Sequence, residues 1–216
     1  GTDALRKTAI LAALSYGKLI PMDMLKAEGI TEVSLKDIEV AQSFGCSVKL
    51  IGRAGKLDDG RIYATVSPEF VKESCPMAHV NDVFNSVLVR GNMLGDAMFY
   101  GRGAGKLPTA SAVVADVIDC AKHTERRKFF GWENSIADYV VSYRDIKHPF
   151  FVRASYTDEA SAKQSVADLF GEVEYLTYDG AAENELGFIT AAITQREFDE
   201  KIAKADTLDD FSRFYQ

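Results

Sequence analysis

The chain has 216 residues, 47% hydrophobic and 26% charged, with 25 Lys and Arg against 32 Asp and Glu, a net charge of −7. That balance suits one large or two small globular domains with proper cores. It argues against nucleic acid as a partner, since no extended Lys/Arg run or basic aromatic stripe is present, and no apolar run of the length a membrane span needs occurs.

Asp3 is placed to cap a helix over Ala4 to Leu19, which is apolar nearly all round (Leu5, Ala9, Ile10, Leu11, Ala12, Ala13, Leu14, Tyr16). A helix apolar on every face is a buried one. Arg6 and Lys7 stand out there, because the first turns of a helix disfavour cations. Asp3 lies four residues before Lys7, so the two share a face and can pair. Two readings stay open: a surface ion pair, or a lysine desolvated at a positive helix end, which gives up its proton more readily and suits proton transfer. Pro21 is expected to end this helix.

Asp23 to Glu28 reads as a short helix stopped by Gly29, and Leu35 to Phe44 as a helix with Gly45 at its C-cap. Cys46–Ile51 and Arg61–Val66 read as strands of a hairpin around a polar turn, Gly52–Gly60. Pro68 to Cys75 can hold one helical turn. Val83–Arg90 and Met93–Tyr100 read as strands joined by Arg90-Gly91-Asn92. Then come Gly101, Gly103 and Gly105 at alternate positions, followed by Pro108 and Thr109 opening an amphipathic helix with Ala110, Val113, Val114, Val117, Ile118 and Ala121 on one face. Glycines at a strand-to-helix junction permit positive φ or close backbone approach, and free amides at a helix start favour polar groups. Neither familiar phosphate motif fits: Lys106 stands where GxGxxG needs a third glycine, and Leu107 follows Lys106 where a P-loop needs Ser or Thr. On spacing alone the loop is either a plain turn or a backbone set close to a ligand.

Residues 125–128 read as a charged, solvated linker. Phe129, Phe130 and Trp132 are expected to pack on the first domain or a partner subunit, and Ser135 to Asp145 leads onward. Strands at Phe150–Tyr156, Val173–Tyr178, Gly187–Thr194 and Phe211–Tyr215, with helices at Ser161–Phe170 and Gln195–Ala205, give the ferredoxin-like order βαββαβ. Three cysteines (Cys46, Cys75, Cys120), widely spaced and without a CxxC, read as buried thiols of a reducing, cytoplasmic setting. The scattered His79, His123 and His148 offer no metal-ligand spacing, so no metal is expected.

Three of these stretches resemble one family. FYGRGAGKLPTASAVVADVID (99–119) is similar to the signature of homoserine dehydrogenase. GTDALRKTAILAALSYGK (1–18) resembles that family's catalytic-lysine helix, and CPMAHVNDVFNSVLVR (75–90) its "PLA-V-GVxNAVxV" strand region. The resemblance runs across residues 1–125. It implies an oxidoreductase that interconverts L-homoserine and L-aspartate 4-semialdehyde with NAD or NADP, in threonine, methionine and isoleucine biosynthesis. Lys7 is then the proton donor and acceptor at the substrate hydroxyl, and Asp3 lies in the substrate pocket and orients the lysine or a water. The glycine loop lies against the cofactor, Gly103 foremost, with Gly101 and Gly105 beside it. The resemblance also implies a homodimer built on residues 46–100. A Rossmann half and further substrate-binding carboxylates belong before Gly1, so the chain is expected to be the C-terminal part of a longer enzyme and inactive alone.

Residues 148–216 resemble, more weakly, the ACT module that senses amino acids. The usual ligand loop, roughly D-x-P-G-V-L, is replaced by Thr157-Asp158-Glu159-Ala160-Ser161, so a regulatory or assembly role stands as the alternative to catalysis. The expected fold is α+β. Residues 1–145 form a catalytic and dimerisation domain of helices on a mixed sheet of at least four strands, with Lys7 and the loop at 101–105 meeting at the site. Residues 146–216 form a ferredoxin-like ACT domain.

Overall fold

The structure, a computed structural model, describes residues 1–125, 129–134, 138–178 and 180–215. The Arg126-Arg127-Lys128 part of the expected linker, and the start of the connection at Ser135, lie outside the described residues. The main elements are α1 (Thr2–Tyr16), α2 (Leu35–Ser43), β1 (Cys46–Lys56), β2 (Ile62–Lys72), β3 (Phe84–Gly91), β4 (Gly95–Arg102), α3 (Lys106–Lys122), β5 (Phe150–Tyr156), α4 (Glu159–Phe170), β6 (Glu174–Leu176), β7 (Glu185–Ile189), α5 (Gln195–Ile202) and β8 (Leu208–Tyr215). They fall into two units, Gly1–Val71 with Gly131–Gln216, and Lys72–Phe130. Among the described residues no helix is long and apolar enough to cross a membrane.

The first unit is built on one six-stranded mixed sheet, in the order β1-β2-β8-β5-β7-β6. The run from β5 to β8 keeps the βαββαβ order, with β5 antiparallel to both β7 and β8 and β6 antiparallel to β7. β8 then meets β2 in parallel, Tyr215 opposite Glu69. The expected sheet of at least four strands from the first half alone does not form: β1 and β2 join the C-terminal strands, and β3 with β4 makes a separate two-stranded sheet. The physical reason lies in β2. Nearly every residue from Ile62 to Phe70 is buried, and such a strand needs cover on both faces and partners on both edges. The edge away from β1 is satisfied piecewise. Ile62 N–H donates to Tyr139 O, Val66 N–H donates to Lys26 O, Glu28 N–H donates to Val66 O, and β8 follows.

The core lies against this sheet. Leu5, Ala12, Ile20, Ile62, Val66 and Val140 pack together under α1. Phe150, Val166, Phe188 and Phe198 fill the space beneath α4 and α5. Phe70 stacks on Phe151 at 4.8 Å and on Phe214 at 4.7 Å, tying β2 to β5 and β8. α2 begins in a capping box, the Ser34 side chain accepting from Asp37 N–H and the Asp37 side chain accepting from Ser34 N–H.

Several boundaries differ from the sequence expectation. α1 ends at Gly17, whose φ of 70° and N–H donated to Ala13 O make a left-handed cap ahead of Pro21. At its other end α1 begins at Thr2 with Gly1 as N-cap, so Asp3 sits in the first turn rather than at the cap. Leu5, Thr8, Ala12 and Ala13 are buried, but Ile10 is 53% exposed and Leu11 and Leu14 are exposed too; the sheet covers one stripe of the helix and leaves the rest bare. Met22–Met24 is a 3-10 turn in place of the expected short helix, and the strand runs to Lys72 where a helical turn was expected. β1 continues through Gly52 to Lys56, and the turn is Leu57–Arg61.

Gly52 lies within β1 where Thr8 of α1 packs close against the strand. A Cβ there would lie 2.1 Å from Thr8 Oγ1. Gly52→Ala is expected to cost about 1–3 kcal/mol through this overlap. The atom behind it, Thr8 Cβ, is 3.4 Å away, so Thr8→Ala in the same chain should recover part of the loss in urea melts. No recovery would place the cost elsewhere.

In the second unit β3 and β4 pair antiparallel from Phe84 opposite Arg102 to Gly91 opposite Gly95. α3 buries no residue; its apolar stripe, Val113, Val114, Val117 and Ile118, is exposed. The amphipathic spacing is therefore present without its cover. Cys120 on this helix is exposed and Cys75 half-buried, so of the three expected buried thiols Cys46 alone is buried. Phe129 and Phe130 are exposed and Trp132 is half-buried.

Candidate functional site

α1 forms because residues 2–16 are rich in Ala and Leu and free of Gly and Pro. Its periodicity puts Asp3 and Lys7 one turn apart on the face away from Leu5 and Thr8. Lys7 Nζ lies 2.7 Å from Asp3 Oδ2, with Lys7 61% and Asp3 82% exposed. The hydrogen bond from Lys7, then its charge, holds the Asp3 carboxyl below its ordinary range. The pairing expected from the i, i+4 spacing is present. The desolvation is not, because this face of α1 points away from the sheet. What the pair offers chemically is an ammonium reaching solvent, held by a carboxylate, beside the start of a helix.

The glycine loop leaves β4 at Arg102 and enters α3 at Lys106. Its three glycines answer to different constraints. Gly105 has φ 126° at the helix N-cap, where an L side chain is strained, and its carbonyl accepts from Thr109 N–H. Gly101 leaves open space where a Cβ would sit. At Gly103 a Cβ would come within 1.8 Å of Asn85 Nδ2, and Gly103 N–H donates to Val83 O at 2.9 Å, prolonging the hairpin. The helix starts at Lys106, just before the expected Pro108.

Asn85 was not singled out by sequence reasoning, although it lies within the 75–90 stretch. Its signal is the hairpin register, which sets Asn85 opposite Gly101 and lays its amide over the backbone of Gly103. The structure thus brings Asp3 to Lys7 in the first unit, and Gly101 and Gly103 to Asn85 in the second, with Gly105 set apart against Pro108.

The chain is similar to known proteins over most of its length. A family model described as homoserine dehydrogenase matches residues 1–118. The homoserine dehydrogenase of Neisseria gonorrhoeae is 31% identical over 223 residues, covering 97% of this chain and 51% of that protein. That of Lactococcus lactis is 41% identical over 122 residues, covering 56% of this chain and 28% of its own length. The crystal structure of a homoserine dehydrogenase from Thiobacillus denitrificans matches the whole chain with a TM-score of 0.81 and 26% identity, and 52% of that chain is covered. The chain spans about half, or less, of the length of these relatives.

Proposed function

Since the chain belongs to the homoserine dehydrogenase family, we propose that the whole protein interconverts L-homoserine and L-aspartate 4-semialdehyde with NAD or NADP, and that residues 1–145 carry its proton-transfer group. The observation that carries this reading is the Asp3–Lys7 pair. In aldehyde reduction, Lys7 Nζ gives its proton to the oxygen that becomes the hydroxyl; in oxidation it takes that proton back. Asp3 keeps the ammonium aimed between turnovers. The nicotinamide group, when bound, supplies or accepts the hydride. Of the three glycines Gly101 suits such a group, with open space where a Cβ would sit, so its main chain is free to approach; at Gly103 that side is taken by the Asn85 amide, and Gly105 is a glycine for its positive φ.

The same reading makes the protein a homodimer through residues 46–100, supported by exposed Val87, Val89 and Phe99 on the β3–β4 hairpin, and puts it in the cytoplasm, in threonine and methionine biosynthesis. Residues 146–216 serve as an ACT-like module. Asp158 caps α4, its carboxylate accepting from Ser161 N–H at 2.8 Å, and Glu159 pairs with Lys163 at 2.6 Å, so both carboxylates of the 157–161 loop are already engaged. That favours association over sensing. An unchanged melting temperature with L-threonine agrees with association, and a clear rise overturns it.

The direct test is homoserine-dependent reduction of NAD+ or NADP+. The whole protein should catalyse it and residues 1–216 alone should not. No reduction by the whole protein with either nucleotide ends the proposal.

A further inference from the structure

The start of α1 rests on another stretch of chain. A Cβ at Gly1 would lie 3.0 Å from Ala27 Cβ and 3.2 Å from Glu28 O, and one at Gly29 would lie 3.3 Å from Gly1 N. The first turn of the helix closes directly above, with Leu5 N–H donating to Gly1 O at 2.9 Å. Residues 26–28 are in turn fixed to β2, through Glu28 N–H to Val66 O at 2.8 Å and Val66 N–H to Lys26 O at 3.2 Å. The height and tilt of the turn that carries Asp3 therefore follow the placement of Glu28.

The Glu28 side chain reaches β8. Arg213 donates to both of its oxygens, Nη2 to Oε1 at 2.8 Å and Nη1 to Oε2 at 3.3 Å. Both side chains are largely buried, 17% and 22% exposed. Lys26 also pairs with Glu28, from the solvent side, at 3.2 Å. Arg213 is itself held, its guanidinium 5.5 to 5.7 Å from the ring centres of Phe150, Phe198 and Tyr215. Burial pushes the Glu28 carboxyl up, but Arg213 and then Lys26 outweigh it and hold it below its ordinary range. A forked guanidinium fixes a carboxylate in both position and angle, which an ammonium cannot do.

We infer that Arg213 is a positioning residue for the Asp3–Lys7 pair: anchored in the aromatic core of the βαββαβ stretch, it fixes Glu28 and so the ground on which the first turn of α1 stands. The C-terminal stretch thereby takes part in setting the proton-transfer group, without touching substrate. This inference rests on the role given to Lys7.

The test is steady-state kinetics of the whole protein with Arg213→Met, Arg213→Lys, Lys7→Ala and the Arg213→Met/Lys7→Ala pair. Arg213→Met should lower kcat for homoserine oxidation by about 10-fold or more, since small misplacements of a reacting group are costly. KM for the nucleotide should stay within about 2-fold, as binding of that group is not what Arg213 controls. Arg213→Lys should recover part of kcat. In the Lys7→Ala background Arg213→Met should lower kcat no further, because there is nothing left to position. An unchanged kcat, or the same fold loss in both backgrounds, overturns the inference. Where Arg213→Met does not fold, Glu28→Gln, which keeps the shape, takes its place in the same comparison. Full activity of Lys7→Ala overturns the role of Lys7 and this inference with it. Loss in Lys7→Ala beside wild-type rates in Arg213→Met overturns the inference alone.

Discussion

Lys7→Ala in the whole protein is expected to lower kcat for homoserine oxidation by about 10²–10⁴-fold, the range over which a positioned acid or base acts. KM for homoserine should move far less, because proton transfer belongs to the transition state rather than to ground-state binding. Melting temperature should barely change. The pair is exposed on both sides, and exposed ion pairs contribute little to stability. The combination separates catalysis from support: a side chain kept only to satisfy Asp3 would leave kcat alone. Asp3→Asn keeps a hydrogen-bonding partner for Lys7 but removes its counter-charge, so a smaller loss in kcat is expected there. Equal losses in both variants would mean that Asp3 handles the proton as much as Lys7 does.

The largest effect on stability is expected from Arg153→Met, on the order of 3–5 kcal/mol, the usual consequence of leaving buried charge unpartnered. Arg153 on β5 donates to Asp37 Oδ1 at 2.7 Å and to Glu185 Oε1 at 3.1 Å. Asp37 is 1% exposed and Glu185 4%. Without the guanidinium, Asp37 keeps the hydroxyls of Ser34 and Ser212 and the Ser34 amide, but no cation. Glu185 keeps Lys36 and the Tyr178 hydroxyl. Asp37 is therefore the more exposed of the two to the loss in energetic terms.

Acid should modulate the effect with a definite sign. Burial pushes both carboxyls up, but hydrogen bonds outweigh it and hold both below their ordinary values of 3.8 and 4.5, led by Ser34 at Asp37 and by Lys36 at Glu185. Groups depressed in the folded state contribute stability that is present above those ordinary values and is lost as pH falls through the lower, folded ones. In the variant the folded values rise, so it loses less stability on acidification than the wild type does, and protonation relieves the buried charge. The gap between wild type and Arg153→Met in urea melts should therefore narrow from about pH 7 to about pH 4. A constant gap would show that the cost of the substitution is packing rather than charge.

Much of this architecture is legible from local signals. The helix at 35–43, the hairpin at 84–102 and the βαββαβ order all follow from spacing and turn residues close to each element. The β2–β8 pairing does not, because nothing in either strand names a partner so distant in sequence. Charged residues mislead in the same way. Arg153, Asp37 and Glu185 look like solvated positions, and only the fold shows them converging from three elements. At the site, the spacing of Asp3 and Lys7 gives their pairing directly. The exposure of Lys7 depends on which stripe of α1 the sheet covers, and a helix apolar on all sides does not declare that. Asn85 is recovered only through the hairpin register.

The place of β8 has a consequence for how the gene can change. Leu208–Tyr215 is an inner strand of the sheet, with β2 on one side and β5 on the other. A nonsense codon shortly before position 208 would open the sheet down its middle and strip the cover from Phe70 and Phe151. The β5–β8 stretch is thus not a detachable unit that recombination can exchange at its border. Its exchange would have to carry β1 and β2 along, or supply a last strand able to pair with both neighbours at once.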